Sequence, residues 1–180
     1  EHITRFKQNL KLLKFNILPD NFLLKKIIFD GINKLNIKKE EYGSIRINYS
    51  RGINVTRSIK VDLLHSTSNP NNLWVEFYSI NVDFNPITVH ISEKEKRNEY
   101  SFLSSCKTFN YIQSIQALFE ANKKNFDDSI FLNTKDELCC GTTFNIILKR
   151  NNKWLTPRKE SGCMQGIMVG KLLDLKLIEE

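Results

Sequence analysis

No stretch of this chain approaches the ~20 continuous apolar residues that a membrane-spanning helix needs. Internal repeats and low-complexity segments are also absent from its 180 residues, so neither a membrane partner nor a repeat architecture is expected. The four cysteines, Cys106, Cys139, Cys140 and Cys163, lack the paired spacing of a zinc site. No metal is expected, and they read as reduced thiols of a cytoplasmic protein. A long basic block is missing too: the lysines are scattered, with short pairs such as Lys25-Lys26 and Lys38-Lys39. With no recognised binding motif, nucleic acid is not an expected partner. The formal charge of +7 suits an anionic small molecule. What remains is 41% hydrophobic and 26% charged, enough for one or two globular domains with a real core.

Apolar spacing predicts the elements. "HITRFKQNLKLLKF" places Ile3, Phe6, Leu10 and Leu13 on one helical face. Pro19-Asp20 breaks the chain, and Asp20 can cap a second helix that buries Leu24, Ile27, Ile28 and Leu35. "SIRINYS", "NLWVEFYSI" and "PITVHIS" read as strands. The charged run "EKEKRNEY" lacks periodicity and reads as a linker. Beyond it "YIQSIQALFEANKK" is helical, with Ile112, Ile115 and Phe119 on one side; "SIFLN" and "TTFNIILK" are strands, and "IMVGKLLDLKLI" is a final helix. The layout is α+β: an N-terminal α/β domain over residues 1–97, a linker over 98–104 and a C-terminal domain over 105–180.

Lys107, in "SSCKTFNYIQ", is the lysine with the most suggestive surroundings. A lysine becomes a Schiff-base nucleophile when its pKa is lowered and a carbonyl lies within reach. Pyridoxal phosphate is the commonest such carbonyl. It also needs a phosphate cradle, a group facing the pyridine nitrogen and groups holding the ring. "SGCMQGIM" is a reasonable cradle, because N–H groups at a helix N-terminus attract anions and Gly166 permits close approach.

The segments "CKTFNYI", "CCGTTFNIIL", "WLTP" and "SGCMQGIM" follow one another as they do in class IV aminotransferases. "EHITRF" and "SIRINYSRG" resemble that family's His-x-x-Arg helix start and Arg-Gly-ended strand. The chain therefore resembles the pyridoxal-phosphate family that includes D-amino-acid and branched-chain aminotransferases and aminodeoxychorismate lyases. The resemblance implies the family's two-domain fold, a homodimer that completes the substrate pocket, and a small anionic amino-acid-like substrate. By resemblance Lys107 is the catalytic lysine, and Arg5 grips the cofactor phosphate together with the backbone of Ile167 and Met168. Thr142 and Thr143 run beside the cofactor, Arg57 lies near the place where relatives hold a substrate carboxylate, and Asn145 is structural; Tyr111 either donates near the ring or faces the core from the first helical turn.

The pattern is broken where the family places a glutamate, five residues before the Asn of "TTFN"; here that position is Cys140. Either Glu137, three residues earlier, reaches in, or the ring's electron sink is weakened. Val169 replaces a common arginine. The chain starts at Glu1 and stops at Glu180, ahead of the family's Thr-Asn-Ser segment, so it is expected to be short at both ends. The paired cysteines in the turn resemble those of some aminodeoxychorismate lyases, which release pyruvate and 4-aminobenzoate, a folate precursor. An aminotransferase is the alternative, and a non-catalytic cofactor-binding homologue the third reading.

Overall fold

The computed structural model describes residues 1–35, 42–52, 57 and 71–180. They divide into two units, Ile3–Phe84 and Asn85–Glu180, the second joined by Glu1–His2. The division falls earlier than the expected boundary at residue 97, because residues 89–91 already pair with the second unit's sheet.

In the first unit, α1 (His2–Leu12) ends at Lys14, whose φ is 60°. The carbonyls left open at its end are taken by Arg51, which donates to Leu13 and Lys14 and lies 4.3 Å from the centre of the Phe15 ring. Asp20 caps α2 (Asn21–Leu35) as expected, its carboxylate accepting the Leu23 N–H at 2.9 Å. Leu24 is fully buried and Ile27 and Ile28 half-buried, but Leu35 is exposed. α2 meets a hairpin of β1 (Tyr42–Ser50) and β2 (Asn72–Ile80), antiparallel from Tyr42↔Ile80 to Ser50↔Asn72. A Cβ on Gly31 would lie 2.1 Å from the Phe77 ring, so the glycine is what admits β2 against the helix.

The second unit is a three-stranded sheet in the order β3-β4-β5. β3 (Val89–Ile91) runs parallel to β4 (Asp128–Leu132), which is antiparallel to β5 (Leu138–Gly141). A parallel pair needs a crossover, supplied here by α3 (Ile112–Lys123). Its buried residues are Ser114, Ala117 and Ala121, while Ile112, Ile115 and Phe119 face outward at 62%, 55% and 57% exposure. Small side chains let the helix lie close to β4, and the wholly buried Phe131 fills the space between, in a cluster with Ala117, Cys139, Cys140 and Cys163.

Only the end of the expected "TTFNIILK" strand is one. β6 (Leu148–Arg150) pairs with β7 (Lys153–Leu155) across Asn151-Asn152, both with positive φ, as a tight hairpin turn requires. Residues 142–147 are irregular. α4 (Ile167–Asp174) is shorter than expected; Lys176, with φ 56°, turns the chain so that Ile178 is buried and Glu179 bonds to Trp154 and Thr156. Among the described residues no helix is long and apolar enough to cross a membrane.

Candidate active site

The second unit contains a cavity of about 370 Å³ that brings together Lys107, Tyr111, Cys140, Thr142 and Thr143. That volume lies within the roughly 300–1,000 Å³ of small-molecule sites. Lys107 enters from the segment between a 3₁₀ turn (Phe102–Ser105) and α3. The turn is locked by its own serines: Ser104 Oγ donates to the Asn98 carbonyl at 2.7 Å and Ser105 Oγ to that of Phe102 at 2.7 Å. Cys106 is buried beside it, and Lys107 is exposed on the cavity wall.

Opposite stand β5 and the irregular segment after it. Thr142 is buried; its hydroxyl donates to Asp128 at 2.7 Å and its carbonyl accepts from Ser114 at 2.9 Å. Its side chain is thereby committed to the scaffold, while Thr143 is exposed at the wall. Glu137 does not reach the cavity. Its carboxylate accepts from the buried Asn133 at 2.8 Å, and its N–H donates back to Asn133 at 2.9 Å, closing the β4–β5 turn. Of β5, Cys140 and Gly141 line the cavity.

Asn145 works as a brace. Its amide donates to the Met164 carbonyl and its oxygen accepts the Gly166 N–H, both at 2.9 Å. The strand exit is thus tied to the loop entering α4. Gly166 has an ordinary φ of −68°, so its backbone does not demand glycine; a Cβ there would lie 2.3 Å from Asn145 Oδ1. The close approach expected at Gly166 is therefore made by this brace. Ile167 and Met168 form the first turn of α4, where backbone N–H groups have no partner within the helix. They do not line the cavity, although Gly162 and Met164 of the preceding loop do. Arg5, half-buried on α1, and Arg57, exposed, belong to the first unit.

Sequence reading missed Arg97. It sits in the charged run taken for a linker, yet its N–H bonds to Leu132 and its side chain lines the cavity. Nothing in local composition separates it from neighbouring charges. Among the described residues, no Asp or Glu lines the cavity, which holds the two cations Arg97 and Lys107.

The thiols bond to one another. Cys139 Sγ donates to Cys140 Sγ at 3.8 Å. That bond and the nearby Arg97 charge bring Cys140 down to about 7 against the opposing effect of burial. Cys139 is pushed up by its bonds to Cys140 and Cys163 and by burial, and Cys163 is lowered by the bond from Cys139. Elsewhere His90, Glu93 and Glu120 approach one another, but Lys124 lies 2.7 Å from Glu93 and 3.2 Å from His90 and serves as their cation.

The amino-transferase class IV family matches residues 1–180. The chain belongs to that family, whose cofactor is pyridoxal phosphate. A Synechocystis protein provisionally named branched-chain-amino-acid aminotransferase is 25% identical over 97% of this chain and 55% of its own length. A Legionella pneumophila structure, provisionally named 4-amino-4-deoxychorismate lyase, superposes with a TM-score of 0.82 at 22% identity, covering 99% of this chain and 64% of that one. The branched-chain amino acid aminotransferase of Thermobaculum terrenum in its PLP form gives 0.76 at 19% identity, over 99% and 59%. The fold is that of class IV aminotransferase structures. The chain spans about half the length of the curated relative, 55%.

Proposed function

We propose that this chain carries the pyridoxal-phosphate site of a lyase converting 4-amino-4-deoxychorismate to 4-aminobenzoate and pyruvate. The observation that carries the reading is the single cavity shared by Lys107, Tyr111, Cys140 and Thr143, with two cations and no carboxylate among its described walls. Its residue types fit the cofactor's aldehyde and ring: an amine for the aldehyde, and a phenol and a thiol for the ring; the loop that enters α4 reaches its wall at Gly162 and Met164.

When bound, pyridoxal phosphate supplies a ring that withdraws the electron pair released at the substrate's reacting carbon. Lys107 Nζ takes the proton from the carbon that bears the amino group. The carbon–oxygen bond to the enolpyruvyl group breaks, and the proton passes to the methylene carbon of that group. The products are then pyruvate and an aromatic ring, with all atoms conserved. Tyr111 and Cys140 would orient the cofactor ring and Thr143 would flank it, while Thr142 anchors that wall through Asp128. By resemblance the backbone of Ile167 and Met168, which do not line the cavity, and the side chain of Arg5 would hold the phosphate, and Arg57 a substrate carboxylate. The chain's formal charge of +7 favours an anionic substrate.

Transamination is the second reading, and the curated relative's name favours it. It would need the ring to delocalise the electron pair between two proton transfers, a demand that a thiol in place of the family's carboxylate would meet less well. The exposed Ile112, Ile115 and Phe119 face supports a homodimer, and four unpaired cysteines suit a reducing cytoplasm. The deciding experiment is borohydride reduction in the presence of pyridoxal phosphate, followed by peptide mapping and an assay of 4-aminobenzoate release. A reduced adduct on Lys107 with product formation supports the lyase. An adduct with amino-group exchange alone supports the transaminase, and labelling spread over surface lysines removes both.

A further inference from the structure

Arg97 is a guanidinium held by neutral groups. It donates to Gln113 at 2.7 Å and to Ser114 at 2.9 Å, and its Cζ lies 4.2 Å from the centre of the Phe131 ring. Its Nε is buried and has no hydrogen-bond partner. The residue as a whole is half-buried and faces the cavity, so its charge is partly desolvated and is favoured by a nearby anion. The sheet register points to a candidate for that anion. Phe131 lies directly opposite Cys140 in the β4–β5 pair, and directly opposed residues of an antiparallel pair point to the same face with Cβ atoms ~5 Å apart. Arg97, stacked on Phe131, therefore stands on the Cys140 side of the sheet, and both line the cavity.

We propose that Arg97 is a positioning residue of the site: its guanidinium is the counter-charge of a Cys140 thiolate, and this pair occupies the place opposite the ring nitrogen that a glutamate holds in the enzymes this chain resembles. The inference rests on the pyridoxal-phosphate reading above. The thiol of Cys139, 3.8 Å away, gives the Cys140 sulfur a hydrogen-bond donor. Other titratable groups around it are Cys163, beyond Cys139, and Lys107 and Tyr111 on the cavity wall. A lone carboxylate presents a full negative charge to the ring nitrogen; a thiolate paired with a guanidinium presents a nearly cancelled one. The nitrogen then holds its proton less firmly. A reaction that expels a leaving group tolerates this better than one that stores the electron pair.

The test is the pH dependence of iodoacetamide alkylation at Cys140, read by peptide mapping on the whole chain before cofactor is added. The expected midpoint is about 7. Arg97→Met should raise it by about one unit, slowing alkylation at pH 7 roughly fivefold, as the thiolate fraction falls from about one half to about one tenth, and Arg97→Lys should restore most of the shift. Arg97→Gln serves if the methionine variant fails to fold. Added pyridoxal phosphate should protect Cys140. A native midpoint near the ordinary 9.0, or one unmoved in the variants that lack the charge, overturns the inference. Borohydride labelling separates the two claims. An adduct on Lys107 with Cys140 left unprotected overturns the pair and leaves the proposed function standing, whereas the absence of any adduct on Lys107 overturns both.

Discussion

Gly166→Ala is the most informative small change in this molecule. The backbone at Gly166, φ −68° and ψ 155°, is open to any residue. The whole cost must therefore come from the new Cβ meeting Asn145 Oδ1 at 2.3 Å. That oxygen cannot simply swing aside, because the Asn145 side chain is pinned by two hydrogen bonds, to Met164 and Gly166. Displacing it forfeits both, about 1 kcal/mol each, or about 2 kcal/mol in all. Asn145→Ala should cost about the same, since it removes the same two bonds. In that background, however, the Cβ meets nothing, and Gly166→Ala should be neutral or stabilising by ~0.4–1 kcal/mol through the unfolded chain. The double-mutant cycle should thus show a coupling of about 2 kcal/mol or more, measured by urea unfolding of the four proteins. Each single variant should also weaken cofactor binding, because the brace sets the loop that leads into α4. Costs that add to within ~0.5 kcal/mol would refute the brace.

Lys107→Ala should leave the urea midpoint within about 0.5 kcal/mol of the native value, as for an exposed side chain, while abolishing the borohydride-fixed cofactor seen by mass spectrometry. Gly162→Ala should destabilise by at least about 2 kcal/mol, because φ is +90° and a Cβ would lie 2.9 Å from the Glu99 Cα; an unchanged unfolding curve would refute it. The Cys140 thiol loses its proton near pH 7 in the folded chain but keeps it to about 9.0 when unfolded. Between those values the unfolded state binds more protons, so stability should rise with pH across that window, and the thiol's contribution is lost as pH falls through it to about 7. Cys140→Ser should flatten that rise in pH-dependent urea unfolding. Ile115→Asp with Phe119→Lys should convert a dimer to a monomer by light scattering at little cost to folding, since both side chains are more than half exposed.

How much of this was legible depended on whether a residue's role follows from its neighbours in sequence. Lys107, Tyr111, Cys140, Thr142 and Thr143 lie in two short motifs, and the fold gathers them in one cavity. The Asp20 cap followed from its place beside a proline and ahead of an apolar run. α3 was legible as a helix but not in its orientation. Its large apolar residues and its small ones mark different faces, and close approach to β4 selects the small face, Ser114, Ala117 and Ala121. Period alone carries no information about how near the neighbouring sheet will be. The irregular course of residues 142–147 was hidden for a similar reason. Their β-branched and apolar character suits a strand, but the Asn145 side chain and the Thr142 N–H bond to groups distant in sequence.

Arg97 was illegible on every local criterion, and yet it decides how the broken family position can be read. Seen from the sequence, Cys140 in place of a glutamate is a loss: a weak hydrogen-bonding group where a full charge is needed. The structure changes the terms of that comparison. Glu137 is spent on the β4–β5 turn and offers no substitute. A glutamate beside Arg97 would form a buried ion pair and give much of its charge to the guanidinium rather than to the cofactor. With a thiol at the position, the same guanidinium does the opposite and helps create the anion. Cys140→Glu should therefore not simply restore the family's ring-nitrogen partner. In the native background the carboxylate should pair with Arg97, and amino-group exchange should rise only modestly. With Arg97→Gln added, the carboxylate is released to the ring and exchange should rise further, by about tenfold for each pKa unit regained at the nitrogen. If Cys140→Glu alone gave the full gain, Arg97 would be a bystander, and the chemistry of this site would turn on a single side chain rather than on a pair.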